Sequence, residues 1–180
     1  MDSIYIYTDG ACSGNQNDTN LGGWGAILVY KGNKKELYGG EKNTTNNRME
    51  MTAFLQALKS LKKDALSINI FSDSGYLIDC FTKKWYVNWQ KNGWKNASKK
   101  PVENKDLWVE LLEEVKKHKK INFYRVKGHL NINSEGQMSK WFEKFKSWNG
   151  PNFTREDFLY VAKMNIRADE LANMGVDEIR

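Results

Sequence analysis

Ser3-Ile4-Tyr5-Ile6-Tyr7-Thr8-Asp9-Gly10 and Ser67-Ile68-Asn69-Ile70-Phe71-Ser72-Asp73-Ser74-Gly75 are two versions of one pattern. Each sets isoleucines at alternate positions, adds an aromatic and a hydroxyl residue, reaches an aspartate and then breaks at small, turn-forming residues. Each reads as a short strand ending in a carboxylate. Neighbouring strands lie about 4.8 Å apart. If these two are parallel neighbours, Asp9 and Asp73 emerge side by side at one sheet edge. Carboxylates that close repel unless a cation stands between them, and a divalent metal ion is the obvious candidate.

The intervening chain allows the crossover that parallel pairing needs. Residues 23–30 read as a second strand, Lys31-Gly32-Asn33 as a turn and residues 35–40 as a third strand at the sheet edge. Links this short favour antiparallel pairing. Residues 46–62 are predicted to be a helix, with Met51, Phe54, Leu55, Leu58 and Leu61 spaced at three and four. Strand 67–72 is followed by a helix over 74–83, a helix over 103–118 and a fifth strand over 121–126. This order implies an α/β fold, a mixed five-stranded sheet with helices packed on it. The whole chain, 1–180, is expected to form one domain.

Residues 134–164 are less regular. Met138, Trp141, Phe142, Phe145 and Trp148 form a helical stripe that stops at Asn149-Gly150-Pro151, and Thr154 to Asp157 resembles a capping box. The expectation is a helical hairpin inserted before a last helix at 166–174, its aromatic stripe packed on the domain. The insertion has five basic and four acidic residues, so it is not expected to grip a polyanion.

Charge is concentrated elsewhere. The chain carries a net +6. Residues 83–105 hold seven lysines, three tryptophans and one acid, Glu103. Lysines meet phosphates and tryptophans pack on sugars or bases, so this interleaving suggests a nucleic-acid surface rather than a merely solvated face. Two cysteines, Cys12 and Cys80, are too few for a disulfide scaffold and suit a reducing, cytoplasmic setting. The start of the chain runs directly into strand 3–9, without the basic region of a signal peptide. The longest apolar stretch, around residues 25–30, is far short of the roughly 20 residues of a membrane span.

Two further acids are candidates for the Asp9–Asp73 edge. Glu50 lies on the apolar stripe of helix 46–62, where a carboxylate is costly unless paired or metal-bound; pairing with Arg48 or with the helix N-terminus is the alternative. Asp169 lies at the rim of the stripe Ala168, Leu171 and Ala172. His118 sits in a lysine run and is expected to be solvated.

These residues carry a resemblance. Thr8-Asp9-Gly10-Ala11-Cys12-Ser13-Gly14-Asn15, Thr45-Asn46-Asn47-Arg48-Met49-Glu50 and Ser72-Asp73-Ser74 resemble the acidic motifs of ribonuclease H type 1. The tryptophans Trp85, Trp89 and Trp94, the run Lys99-Lys100-Pro101-Val102 with Asn104 and Trp108, Val126-Lys127-Gly128-His129, and Asn165 with Ala168-Asp169 follow in the family's order. The match covers about residues 3–130 and 165–176. It implies the ribonuclease H-like fold, with strand order 3-2-1-4-5.

The resemblance further implies an endonuclease that hydrolyses the RNA strand of RNA/DNA hybrids through two Mg²⁺ ions, with Mn²⁺ as a substitute. Asp9, Glu50, Asp73 and Asp169 would bind metal, and His129 would serve proton transfer or product release. Asn15, Asn46 and Asn47, with backbone near Cys12 and Gly14, would read 2′-hydroxyls. Ser74 and Tyr76 would also meet substrate. Thr45 and Asn104 would hold a DNA phosphate. Trp85 and Trp89 would line the DNA channel beside Lys91, Lys95, Lys99 and Lys100, while Trp94 and Trp108 would pack the handle itself. The chain is expected to act as a cytoplasmic monomer away from membranes. A non-catalytic hybrid- or double-stranded-RNA-binding module, or a DNA nuclease of the same fold, remain as alternatives. The chain departs from better-known members in the long link between His129 and Asp169.

Overall fold

The structure is a computed structural model that describes residues 3–13 and 20–180. Its five strands are β1 (Ser3–Ser13), β2 (Leu21–Tyr30), β3 (Asn33–Lys42), β4 (Ser67–Ser72) and β5 (Lys120–Arg125). They lie in the order β3-β2-β1-β4-β5. β2 pairs antiparallel with β1 and β3, and β1, β4 and β5 run parallel. The doubled pattern pairs without slip: Ile4 faces Ile68, Ile6 faces Ile70, Tyr7 faces Phe71 and Thr8 faces Ser72. Asp9 and Asp73 therefore leave the same sheet edge side by side.

Strand alternation divides the core in two. Ile4, Ile6, Ala26, Leu28, Ile68 and Ile70 point to one face. There they meet α1 (Asn46–Lys59), α2 (Gly75–Thr82) and α4 (Lys105–Val115). Tyr7, Ile27, Phe71 and Val126 point to the other, against α5 (Glu135–Asn149) and α6 (Arg155–Glu178). The segment 83–105, which holds the short helix α3 (Trp85–Lys91), packs on the first face through Trp85, Trp89 and Trp94. Trp108 is fully buried beneath it, and its Nε1 donates to Tyr76 Oη at 2.9 Å. Truncating a buried aromatic of this size costs about 3–5 kcal/mol.

The insertion differs from the expected hairpin. α5 forms as predicted, with Ser134 as its cap, and the capping box Thr154–Asp157 is present. The helix it opens does not end before residue 166, however. α6 is one continuous helix of 24 residues, about 36 Å long at 1.5 Å per residue. Its buried residues Phe158, Val161, Ala162, Asn165, Ala168, Leu171, Ala172 and Val176 keep one helical spacing throughout. No glycine or proline interrupts the chain between Arg155 and Met174. The inserted residues thus comprise one added helix and an extension of the last one. That extension is rigidly coupled to the position of Asp169.

Candidate active site

Close backbone approaches build the site. A Cβ on Gly10 would lie 2.6 Å from Glu50 N and 2.8 Å from Met49 C, so only glycine lets β1 sit this tightly against α1. Thr45 starts that helix by accepting a hydrogen bond from Arg48 N at 3.2 Å. Glu50 then falls in the second turn, facing Asp9. Asp73 directly follows β4, and Ser74 caps α2 by accepting from Leu77 N at 3.1 Å. α6 packs on β2 at Gly25, where a Cβ would lie 2.5 Å from Ala168 O. This contact brings Asp169 to the same edge.

Carboxylate oxygens of Asp9, Glu50 and Asp73 lie within 4.8 Å of one another. Asp9 is 3% and Glu50 7% exposed. Glu50 Oε2 is buried without a hydrogen-bond partner. Burial first, and then repulsion from Asp73, push the Asp9 carboxyl up to about 8. Burial also raises Glu50 well above the carboxylate range, reinforced by Asp73 and Asp9. Arg48, the alternative partner for Glu50, turns away; its guanidinium grips Asp106 at 2.8 and 3.0 Å. Three converging, uncompensated carboxylates offer hard oxygen donors of the kind a divalent cation takes.

An open cleft of about 550 Å³ surrounds them. Asp9, Cys12, Asn46, Asn47, Glu50, Asp73, Ser74, Tyr76, His129 and Asp169 all line it. Asp169 stands at the rim, near enough to raise Asp9 further, but outside the close triad. His129 is exposed on the loop after β5, with a left-handed φ of 54°. Gly14 and Asn15 lie outside the described residues. Asn173, one turn beyond Asp169 on α6, also lines the cleft. Sequence reading missed it, although its spacing of four from Asp169 puts both on one helix face.

Thr45 and Asn104 come together through a residue given another role in the sequence reading. Arg48 donates from its backbone to Thr45 Oγ1 and from its side chain to Asn104 Oδ1 at 3.2 Å. The tryptophans form a chain: Trp85 to Trp89 at 6.4 Å, Trp89 to Trp94 at 6.2 Å and Trp89 to Trp108 at 5.8 Å between ring centroids. Trp108 stacks obliquely on Tyr76, which reaches the cleft. Beyond α3, Asn96 Oδ1 accepts from Ser98 N and Lys100 N and so shapes the turn that presents Lys95, Lys99 and Lys100. These lysines and Lys91 are exposed. His118 is not solvated as expected: half-buried, it accepts from Leu66 N through Nδ1.

A model of the RNase H family matches residues 1–140. The chain belongs to the ribonuclease H family. Ribonuclease H of Pseudomonas putida (strain W619) is 43% identical over 179 residues, covering 99% of this chain and 97% of its own. Ribonuclease H of Thermoanaerobacter sp. (strain X514) is 54% identical over 131 residues, 73% of this chain and 81% of its own. LC11-RNase H1, solved in complex with RNA/DNA hybrid, shares the fold with a TM-score of 0.59 at 18% identity; the match covers 98% of each chain. The Pseudomonas relative aligns across the inserted helix, so this ribonuclease H-family chain is not alone in its length.

Proposed function

We propose that the chain is a Mg²⁺-dependent endonuclease that hydrolyses the RNA strand of RNA/DNA hybrids, leaving 5′-phosphate and 3′-hydroxyl ends. The observation that carries this reading is the buried, unpartnered Glu50 Oε2 within a triad of carboxylates. A cation is the counter-charge that such a triad lacks. Asp9, Glu50 and Asp73 would hold it, with Asp169 adding a donor from the rim, and Mn²⁺ would suit the same oxygens. Two such ions, held by these acids, would supply the charge that makes a water acidic enough to attack and that stabilises a departing 3′ oxygen.

The protein's own groups bind and orient the hybrid. Asn46 and Asn47 present amides, each both donor and acceptor, to 2′-hydroxyls of the RNA strand, beside Cys12. Thr45 and Asn104, bridged by Arg48, would take a DNA phosphate, the arginine adding charge to the two neutral groups. Trp85 and Trp89 supply the aromatic wall of the DNA channel, and Lys91, Lys95, Lys99 and Lys100 its positive charge. Ser74 and Tyr76 contact the strand between them. His129, exposed and aimed at the cleft, serves proton transfer or release of product. The hybrid in the LC11-RNase H1 complex agrees with this substrate. We read 1–180 as a single domain acting as a monomer. The free thiols of Cys12 and Cys80 suit the cytoplasm, and no helix among the described residues is long and apolar enough to cross a membrane.

Asp9→Asn tests the assignment. The variant should bind a labelled hybrid as the parent does but no longer cleave it in Mg²⁺. Full cleavage by Asp9→Asn would overturn the metal role of the triad.

A further inference from the structure

The near-neutral charge of the inserted segment conceals a one-sided distribution. At 100° per residue, Lys140, Trp141, Lys144 and Trp148 fall within about 100° of arc on α5. The buried core residues Met138 and Phe145 occupy the opposite side with half-buried Phe142, while Trp141 also rests one edge against that core. The two acids of α5 lie off the strip and are engaged: Glu135 with Arg155 at 2.8 Å, and Glu143 with Lys146 at 3.1 Å. Asp157 is held in its capping box. Lys140 and Lys144 are exposed and meet no carboxylate among the described residues, lying instead over the half-buried Trp141 and Trp148 at 5.2 and 5.6 Å.

This strip joins the catalytic edge. Arg125 pairs with Ser72 in the β4–β5 register, so the chain leaving β5 emerges beside Asp73. The Arg125 guanidinium stands 4.6 Å from the Trp148 ring, and its Nε is buried without a partner. Lys127 lies 5.2 Å from the Trp141 ring. It immediately precedes Gly128, where any Cβ would collide with Asp73 Oδ2. Asn149, at the end of α5, accepts from Arg125 N at 3.0 Å and donates to Arg125 O at 2.8 Å. It occupies the free edge of β5 as a neighbouring strand would, fixing the helix to the strand end.

We propose that Lys127, Lys140 and Lys144, set on Trp141 and Trp148, form a second nucleic-acid platform that binds the backbone of the RNA/DNA hybrid where it leaves the cleft on the side away from the handle. The handle lies on the α1–α4 face of the sheet and α5 on the α6 face, so the acidic edge runs between two surfaces of the same chemistry. Unpaired lysines interleaved with tryptophans complement phosphates and sugars. This deepens the reading of the cleft as a hybrid nuclease and rests on it for the identity of the substrate.

The test combines Lys127→Ala, Lys140→Ala and Lys144→Ala in one chain and measures hybrid binding by fluorescence anisotropy across a salt series. Lys146→Ala serves as the control, because it removes a lysine from the same helix but off the strip. Binding is measured in the Asp9→Asn background, so that it does not depend on turnover. The triple variant should lower the slope of log affinity against log salt by about 2, at 0.7–0.9 per phosphate contact. With Asp9 intact, the effect should fall on KM and not on kcat. The control should keep the parental slope. A slope unchanged by the triple change, or lowered equally by Lys146→Ala, would overturn the platform. A lowered slope in a chain whose parent cleaves no hybrid would uphold the platform and overturn the nuclease reading instead.

Discussion

Asp9 and Glu50 are almost fully buried, and no described cation stands beside them. Lys91, Lys95, Lys99 and Lys100 are exposed and meet no carboxylate among the described residues. The sheet edge and the handle are thus opposite in sign and in environment. Burial magnifies repulsion at the edge, because little water remains to screen it. Water and salt screen the handle, which costs the fold little. The edge is therefore where charge must be completed by a ligand, whereas the handle is where charge is free to recruit one.

If that contrast is right, substitutions in the two regions separate in kinetics. Asp73→Asn should lower kcat by at least about a hundredfold, since even the outer partners of metal ligands are worth 10–100-fold. Hybrid affinity should change little. Replacing Lys91, Lys95, Lys99 and Lys100 together should do the reverse. KM should rise and the salt slope of binding should fall by about 3, at 0.7–0.9 per contact. Steady-state kinetics on one labelled hybrid reads both. Equal loss of kcat from the two variants would erase the distinction.

A smaller effect concerns pH and only the edge. Asp9 is raised from an ordinary 3.8 to about 8 in the folded chain. Between those values the folded protein keeps a proton that the unfolded chain has released. Metal-free stability should therefore fall as pH rises from about 4 to about 8, and level off beyond. Mg²⁺, binding the deprotonated acids, should offset that fall most at the alkaline end. Thermal melts with and without Mg²⁺ across this range check the sign. A metal-free melting temperature that climbs over the same interval would show that the acids are not held protonated.

Much of this edge was legible in the sequence because strand pairing has a period of two. The repeated Ile-x-Ile pattern left one register that buries both copies, and that register alone aligns Asp9 with Asp73. Glu50 was legible from helical spacing. The limits have physical causes. The continuity of α6 is hidden by a helix start signal at Thr154–Asp157, and only the lack of a glycine or proline between Arg155 and Met174 points to it. Arg48 is only one possible partner for Glu50 by its place in the sequence, and its long side chain reaches Asn104 and Asp106 at the start of α4 instead. The strip on α5 was invisible to a sum of charges; it emerges only when pairing removes Glu135 and Glu143. How near Asp169 stands to the triad depends on helix–sheet packing at Gly25, which no local pattern encodes.

The central claim is that the acidic edge cuts RNA paired to DNA. Its most direct test is to incubate the purified chain and Mg²⁺ with end-labelled RNA/DNA hybrid, RNA duplex and DNA duplex, with a chelator control for each. The account predicts internal cleavage of the hybrid's RNA strand alone, abolished by the chelator. Binding without cleavage of any substrate, or cleavage of the DNA duplex, would contradict it.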